Sequence, residues 1–174
     1  MPNGSLHRPN HILLSGGALF GALLVLFGLC QDAPADILRG LGVILTREDV
    51  LITDYIAIAG MGAAFVNAGL VTLISVLLIK LVRDPVNGAT LVTLGLMAGF
   101  SLFGKNILNI WPILVGTGLY AVLKGETFAH HINLALRATA LAPVVSFMAV
   151  RFSPWLGVLL GLLIGFVMPP VAEH

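Results

Sequence analysis

The sequence predicts an all-α, polytopic integral membrane protein, on three observations. Hydrophobic residues make up 58% of the 174 and charged ones only 10%; the mean hydropathy is +1.03; and the apolar runs approach the ~20 residues that a helix needs to cross a bilayer. About five or six membrane helices are expected, plus an amphipathic interfacial helix. The net charge of +1 supplies no broad basic field, and no Lys/Arg-rich run is present, so nucleic acid is excluded as a partner. A single cysteine, Cys30, forms no intrachain disulfide and belongs to no CxxC motif. It ends the first apolar run after Leu29, where a lipoprotein signal needs a small residue, and that run is too long and too poor in small-x-small exits for a cleaved secretory peptide.

Residues 1–10 read as a disordered polar tail carrying Pro2, Gly4 and Pro9, and residues 11–174 as a single membrane domain. The first helix is expected from about His11 to Cys30, with Gly17 and Gly21 as a GxxxG pair for close helix approach. Hydropathy then falls, but Ile37, Leu38, Leu41, Ile44 and Leu45 recur at helical spacing opposite Asp36 and Arg39. This segment is too short to span and reads as the interfacial helix, ending near a capping-box-like turn at Thr46-Arg47-Glu48-Asp49.

A long second span follows, roughly Tyr55 to Val82. Gly60, Ala64 and Ala68 form a packing stripe, with Asn67 beside it able to hydrogen-bond across helices for about 1 kcal/mol. Lys80 and Arg83 mark an aqueous edge before Asp84-Pro85. The last two apolar runs, about Asn133 to Val150 and Pro154 to Met168, flank Arg151, and the final one carries Gly157, Gly161 and Gly165 in four-residue steps. If every candidate span crosses, the basic residues divide evenly between the two sides, so charge does not fix the orientation.

The segment between Pro85 and Lys124 is the most informative. It is almost unbroken apolar, yet its middle holds Gly104, Lys105, Asn106 and Asn109, followed by Trp111-Pro112. A cation at the centre of a bilayer costs roughly 3 kcal/mol or more, so Lys105 belongs at a surface, in a water-filled cavity or in a protein-lined site. The flanking runs, residues 89–103 and 107–123, cover roughly 22 to 26 Å against a core near ~30 Å. Two arrangements satisfy these lengths. One is a pair of stubby spanning helices joined by a surface hairpin at Gly104-Lys105-Asn106. The other is a re-entrant pair of half-helices meeting at depth around 86–124, as in transporters whose broken helices aim dipoles and polar groups at a solute. In the second, Gly104 frees the turn, Asn106 caps the next helix, and Pro112 exposes the carbonyl of Leu108.

His130, Asn133 and Arg137 share a helix face while His131 points elsewhere. Arg137 either snorkels to headgroups or faces the bundle to hold an anion or pair with a carboxylate, Asp54 being the preferred partner. Adjacent histidines do not present both rings to one metal, so no metal site is expected. No nucleophile elbow, His-Glu-x-x-His, phosphate-binding glycine loop or paired intramembrane carboxylates occur, which argues against an enzyme and against a cofactor.

Four groups of residues carry a family resemblance: Ile52-Thr53-Asp54-Tyr55, the small-residue stretch Gly60 to Gly69 around Asn67, Gly99 to Pro112 with its Gly-Lys-Asn-x-x-Asn-x-x-Pro core, and Leu141-Ala142-Pro143. From roughly Ala35 onward the chain resembles a bacterial multi-pass membrane family known as a domain of unknown function. Members of that family are longer, which implies an amino-terminal portion or a shortened member. It implies no substrate.

The functional expectation is a permease or channel-like unit of the cell membrane for a small polar or anionic solute. Lys105, Asn106, Asn109 and Arg137 would line or support the path and Asn67 would brace it. The alternative is a non-transporting scaffold or assembly subunit that packs through its glycine faces, Gly17/Gly21 and Gly157/Gly161/Gly165. Expected partners are the bilayer and a second copy or a homologous half.

Overall fold

The computed structural model describes residues 11–49, 52–83 and 85–172, which form nine α-helices with no strand among them. The expected tail over 1–10 lies outside the described residues. In order the helices are α1 (His11–Leu29), α2 (Pro34–Thr46), α3 (Tyr55–Ala59), α4 (Met61–Val82), α5 (Gly88–Phe100), α6 (Trp111–Lys124), α7 (Phe128–Ala138), α8 (Ala142–Arg151) and α9 (Pro154–Ala172). A 3-10 turn at Thr139–Leu141 joins α7 to α8, so Phe128–Arg151 acts as one kinked rod. Four helices are long and apolar enough to cross a membrane: α1, α4, the α7–α8 rod and α9. The chain is therefore a membrane protein.

Helix directions follow from which glycines touch what. Along α1, Gly17 faces Val76, Gly21 faces Leu73 and Gly28 faces Val66, so α1 and α4 run antiparallel. Gly157 meets Ala149 and Gly161 meets Val145, which makes α8 and α9 antiparallel as well. Gly116 lies against Leu162, Thr117 donates its hydroxyl to the Gly165 carbonyl at 2.9 Å, and Tyr120 stacks edge-on against Phe166, so α6 and α9 run parallel. The glycines stand where backbones nearly touch, because in lipid, where apolar side chains gain little by meeting, association depends on such close packing. Gly17, Gly21, Gly157, Gly161 and Gly165, expected as docking faces for other subunits, are spent on contacts within this chain. Gly165→Ala is expected to push α9 off α6 and to lower the melting temperature sharply, since its Cβ would enter the Ile113 carbonyl. Gly99→Ala, with nothing near its Cβ, should leave the folded chain intact in the same thermal assay.

These directions define two ends of the bundle: the proximal end, where α1 begins, and the distal end, where it finishes. Helix α5 starts beside the end of α4 at the proximal end and descends; α6 climbs back to reach α7 at the proximal end again. At 13 and 14 residues, or roughly 20 Å each at 1.5 Å per residue, neither crosses. Their connection, residues 101–110, stops beside Asn67 of α4 and Ser146 of α8, each about one and a half turns short of the distal end of its helix. Within the bundle the pair is a hairpin whose tip stops short of the distal helix ends, the arrangement expected of a re-entrant pair rather than of two stubby spans.

Helices α2 and α3 roof this hairpin at the distal end. Gly40 of α2 lies on Ala59 and Ala63, and Ile44, Tyr55, Ala63 and Ala64 form a small apolar cluster of their own. The long span expected from Tyr55 is broken at Gly60, whose φ of +88° no ordinary residue adopts easily; α3 ends there and α4 begins. Because Gly60 offers no side-chain cap, Asp32 takes over, accepting from the Gly62 N–H at 2.7 Å. The capping-box reading of Thr46-Arg47-Glu48-Asp49 is not realised. Thr46 ends α2 with its hydroxyl on the Gly42 carbonyl, and the true N-cap downstream is Asp54, which accepts from Ile56 and Ala57 N–H groups.

Candidate functional site

The hairpin tip is irregular backbone surrounded by helices, where every unmet N–H and C=O costs free energy. Three asparagines meet that demand. Asn67 donates to the carbonyls of Ser101 and Lys105 at 2.8 and 2.9 Å. Asn106 accepts from the N–H groups of Leu108 and Asn109 and donates to the Ile44 carbonyl and the Tyr55 hydroxyl. Asn109 accepts from the Asn106 N–H and donates to the Gly104 carbonyl and to Ser146 Oγ. Gly104, at φ +96°, supplies the left-handed turn between them.

The sequence-predicted residues thus divide. Lys105, Asn106, Asn109 and Asn67 come together at one buried tip, but the three amides are occupied by the hairpin's own backbone and its roof. Asn106 caps a separate turn, because α6 starts only at Trp111, with Pro112 in its first turn. The Leu108 carbonyl is not exposed by Pro112; it accepts from the Trp111 N–H at 3.4 Å.

Lys105 differs from its neighbours. Its side chain is 1% exposed, and its Nζ lies 3.3 Å from the Met97 sulfur and 5.3 Å from the Phe100 ring centroid. Thr139 Oγ1 reaches the same sulfur from the α7–α8 rod. An ammonium has three donors, and a thioether and an aromatic face are weak compensation for lost water. Among the described residues no carboxylate pairs with it.

Outside Phe100 runs a groove of about 550 Å³, lined by Ile52, Phe100, Phe103, Ala140 and Leu141. Arg137 is exposed and lies three and four residues before Ala140 and Leu141, which line the groove. Its Nε donates to the Asn133 carbonyl, while Asp54 is engaged in capping α3; the two do not pair. Arg137 sits roughly 14 Å along the rod from Phe128.

Two features were missed by sequence reasoning. His131 points into the bundle, buried, with Nε2 2.6 Å from Glu126 Oε2 and its ring edge-on to Tyr120. Only the return of the chain at Gly125 brings Glu126 under it. Asp49 is the second: it is fully buried, its Oδ2 accepting from the Tyr55 hydroxyl at 2.9 Å and its Oδ1 without a hydrogen-bond partner. Burial pushes this carboxyl up to about 6, against the partial opposition of the Tyr55 and Ser146 hydroxyls and of Arg47. The folded chain therefore holds this proton more tightly than the unfolded one does. The stability it lends is full below about pH 4 and is lost as pH rises through about 6. Melting temperature should fall between pH 5 and pH 7.5, and Asp49→Asn should flatten that slope.

One comparison bears on kinship. A family model described as "Protein of unknown function (DUF1576)" matches residues 33–174. The chain belongs to the DUF1576 family. No curated protein and no solved structure matches it. In this DUF1576 protein the matched region begins just before α2 and takes in the roof, the re-entrant hairpin and the Lys105 tip, leaving only α1 and the residues flanking it outside.

Proposed function

We propose that this DUF1576 chain is a transport unit for a small anionic solute, with the α5–α6 hairpin as its solute-binding element. The observation that supports this is the Lys105 amine, buried at the tip of the α5–α6 hairpin beside a sulfur and a ring, with no carboxylate paired to it among the described residues. An amine so placed has no counter-charge among the described residues, and intramembrane ionisable groups facing a bundle interior usually serve a solute or ion path. The groove gives the route: Arg137 draws an anion toward it, Phe100 separates the groove from Lys105, and rotation of that ring opens the amine to the groove. The amides of Asn67, Asn106 and Asn109 hold the tip in shape and do not contact the solute directly.

The test is flux in reconstituted vesicles, loaded in turn with nitrate, formate or phosphate and read as electrical current or anion counterflow. Wild-type protein is expected to carry at least one of these, Lys105→Gln to lose tenfold or more, and Phe100→Ala to move it faster. Equal flux in wild type and Lys105→Gln would sink the reading.

A further inference from the structure

We propose that Asp49 is a proton-binding site that couples anion movement to protons, taking up its proton at Oδ1 and passing the change to the hairpin tip through Tyr55. This deepens the transport reading and rests on it. The geometry is a chain of single contacts. Asp49 Oδ2 accepts from the Tyr55 hydroxyl; the Tyr55 oxygen accepts from Asn106 Nδ2 at 3.3 Å; and Asn106 Oδ1 caps the turn that follows Lys105. Asn106 also ties the tip to the Ile44 carbonyl of the roof at 3.2 Å. One carboxyl thus sits at the far end of the network that holds the tip against α2 and α3.

The unfilled position is what assigns a proton to it. Asp49 is 0% exposed, and its Oδ1 has no partner at hydrogen-bond geometry among the described residues, the Ser146 hydroxyl lying near the carboxyl without closing such a bond. The carboxylate keeps the Tyr55 hydroxyl as a strong, charge-assisted donor. Protonation at Oδ1 makes Oδ2 a weaker acceptor, the Tyr55 hydroxyl is freed to turn, and Asn106 loses a fixed partner. No electron or leaving group is involved: a proton from water binds an oxygen lone pair and returns to water.

The groups around Asp49 fit this role. Tyr55 comes from α3, and burial with the neighbouring carboxyl keeps its phenol protonated far above the ordinary range. Arg47 on the chain before it is exposed and acts only at a distance. Ser146 comes from α8 and Asn106 from the tip, neither titratable; Lys105 belongs to the tip too, but its amine is turned to Met97 and Phe100. Glu48 is half-buried beside it, and Asp54 is exposed and engaged by α3. A cavity of about 330 Å³ between α6, α8 and α9, lined by Asn106, Asn109 and Ser146 among apolar residues, brings solvent-sized space to the same network.

Two measurements on the full chain in lipid nanodiscs and vesicles test it. Infrared difference spectra between pH 5 and pH 8 are expected to show a protonated carboxyl band that titrates near pH 6, is absent in Asp49→Asn, and moves to higher pH in Tyr55→Phe, which removes the hydroxyl bond to the charged form. An imposed proton gradient should drive anion uptake in wild-type vesicles and fail in Asp49→Asn, while anion counterflow without a gradient persists in that variant. Absence of the titrating band, or equal gradient-driven uptake in Asp49→Asn, overturns the proposal. Absence of counterflow in the wild type removes the transport reading, and with it the coupling, and is distinguished from the first failure because the band is read separately.

Discussion

Lys105→Met is expected to raise the melting temperature by several degrees while abolishing anion flux. The two effects have one cause. The wild-type amine is stripped of water and given a sulfur and an aromatic face in return, a poor exchange for a charged group. Methionine has a similar length and flexibility, fills the space beside Met97 and Phe100, and leaves no polar group behind. Replacing a poorly compensated buried charge by an apolar side chain of like volume gains roughly 1 to 4 kcal/mol in favourable cases. Gains of that kind are expected where a site holds function at the expense of stability. Thermal unfolding in detergent and flux in vesicles, on the same two preparations, check both halves. A melting temperature that falls on substitution means that Lys105 has a stabilising partner and that the amine serves structure.

The opposite pattern is expected one turn further on. Asn109→Leu strands three buried groups at once: the Asn106 N–H, the Gly104 carbonyl and the Ser146 hydroxyl. At about 1 to 3 kcal/mol for each buried group left without a partner, even two or three of these losses consume most of the stability of an ordinary domain. The variant is expected to fail to accumulate as folded protein at about 37 °C, where marginal stability is quickly exhausted. Asn109→Asp keeps an acceptor for the Asn106 N–H but loses both donations and buries a charge, so it should be little better. Asn106→Leu is expected to be nearly as severe, because it uncaps the turn and cuts the tether to Ile44 and Tyr55. Size-exclusion profiles of the purified variants read these outcomes. A monodisperse Asn109→Leu protein with wild-type melting contradicts the account of the tip.

The contrast between Lys105 and Asn109 explains what the sequence could and could not reveal. Composition and the apolar runs identified a helical membrane protein because bilayer thickness sets helix length directly. The short segments on either side of Gly104, with a lysine and two asparagines between them, left a surface hairpin and a re-entrant hairpin open. Length alone could not decide, since both need short helices. The answer depended on Asn67 and Ser146, distant in sequence and placed on α4 and α8. The same distance hid the fate of the amides: nothing local to Asn106 shows that its side chain is consumed by Ile44 and Tyr55. Arg137 was legible as a position on a helix face, but the groove that Ala140 and Leu141 line is completed by Phe100, Phe103 and Ile52, which lie far from it in sequence. Asp49 was concealed by its neighbours. Thr46, Arg47 and Glu48 give it the look of a helix-start signal, and only the packing of α3 under α2 turns its carboxyl inward.

The most direct test of the re-entrant hairpin is the water accessibility of position 105 in membranes, using Cys30→Ala with Lys105→Cys. Arg47→Cys and Arg151→Cys serve as distal-surface references. A bulky impermeant thiol reagent is compared with small sulfonate-bearing and small ammonium-bearing thiosulfonates. The structure predicts that the thiol introduced at position 105 resists the bulky reagent while both references react, and that the small anionic reagent reaches it faster than the small cationic one. Rapid labelling at position 105 by the bulky reagent, at the rate of the references, would place residues 104–106 at the distal surface and contradict both the re-entrant hairpin and the anion path built on it.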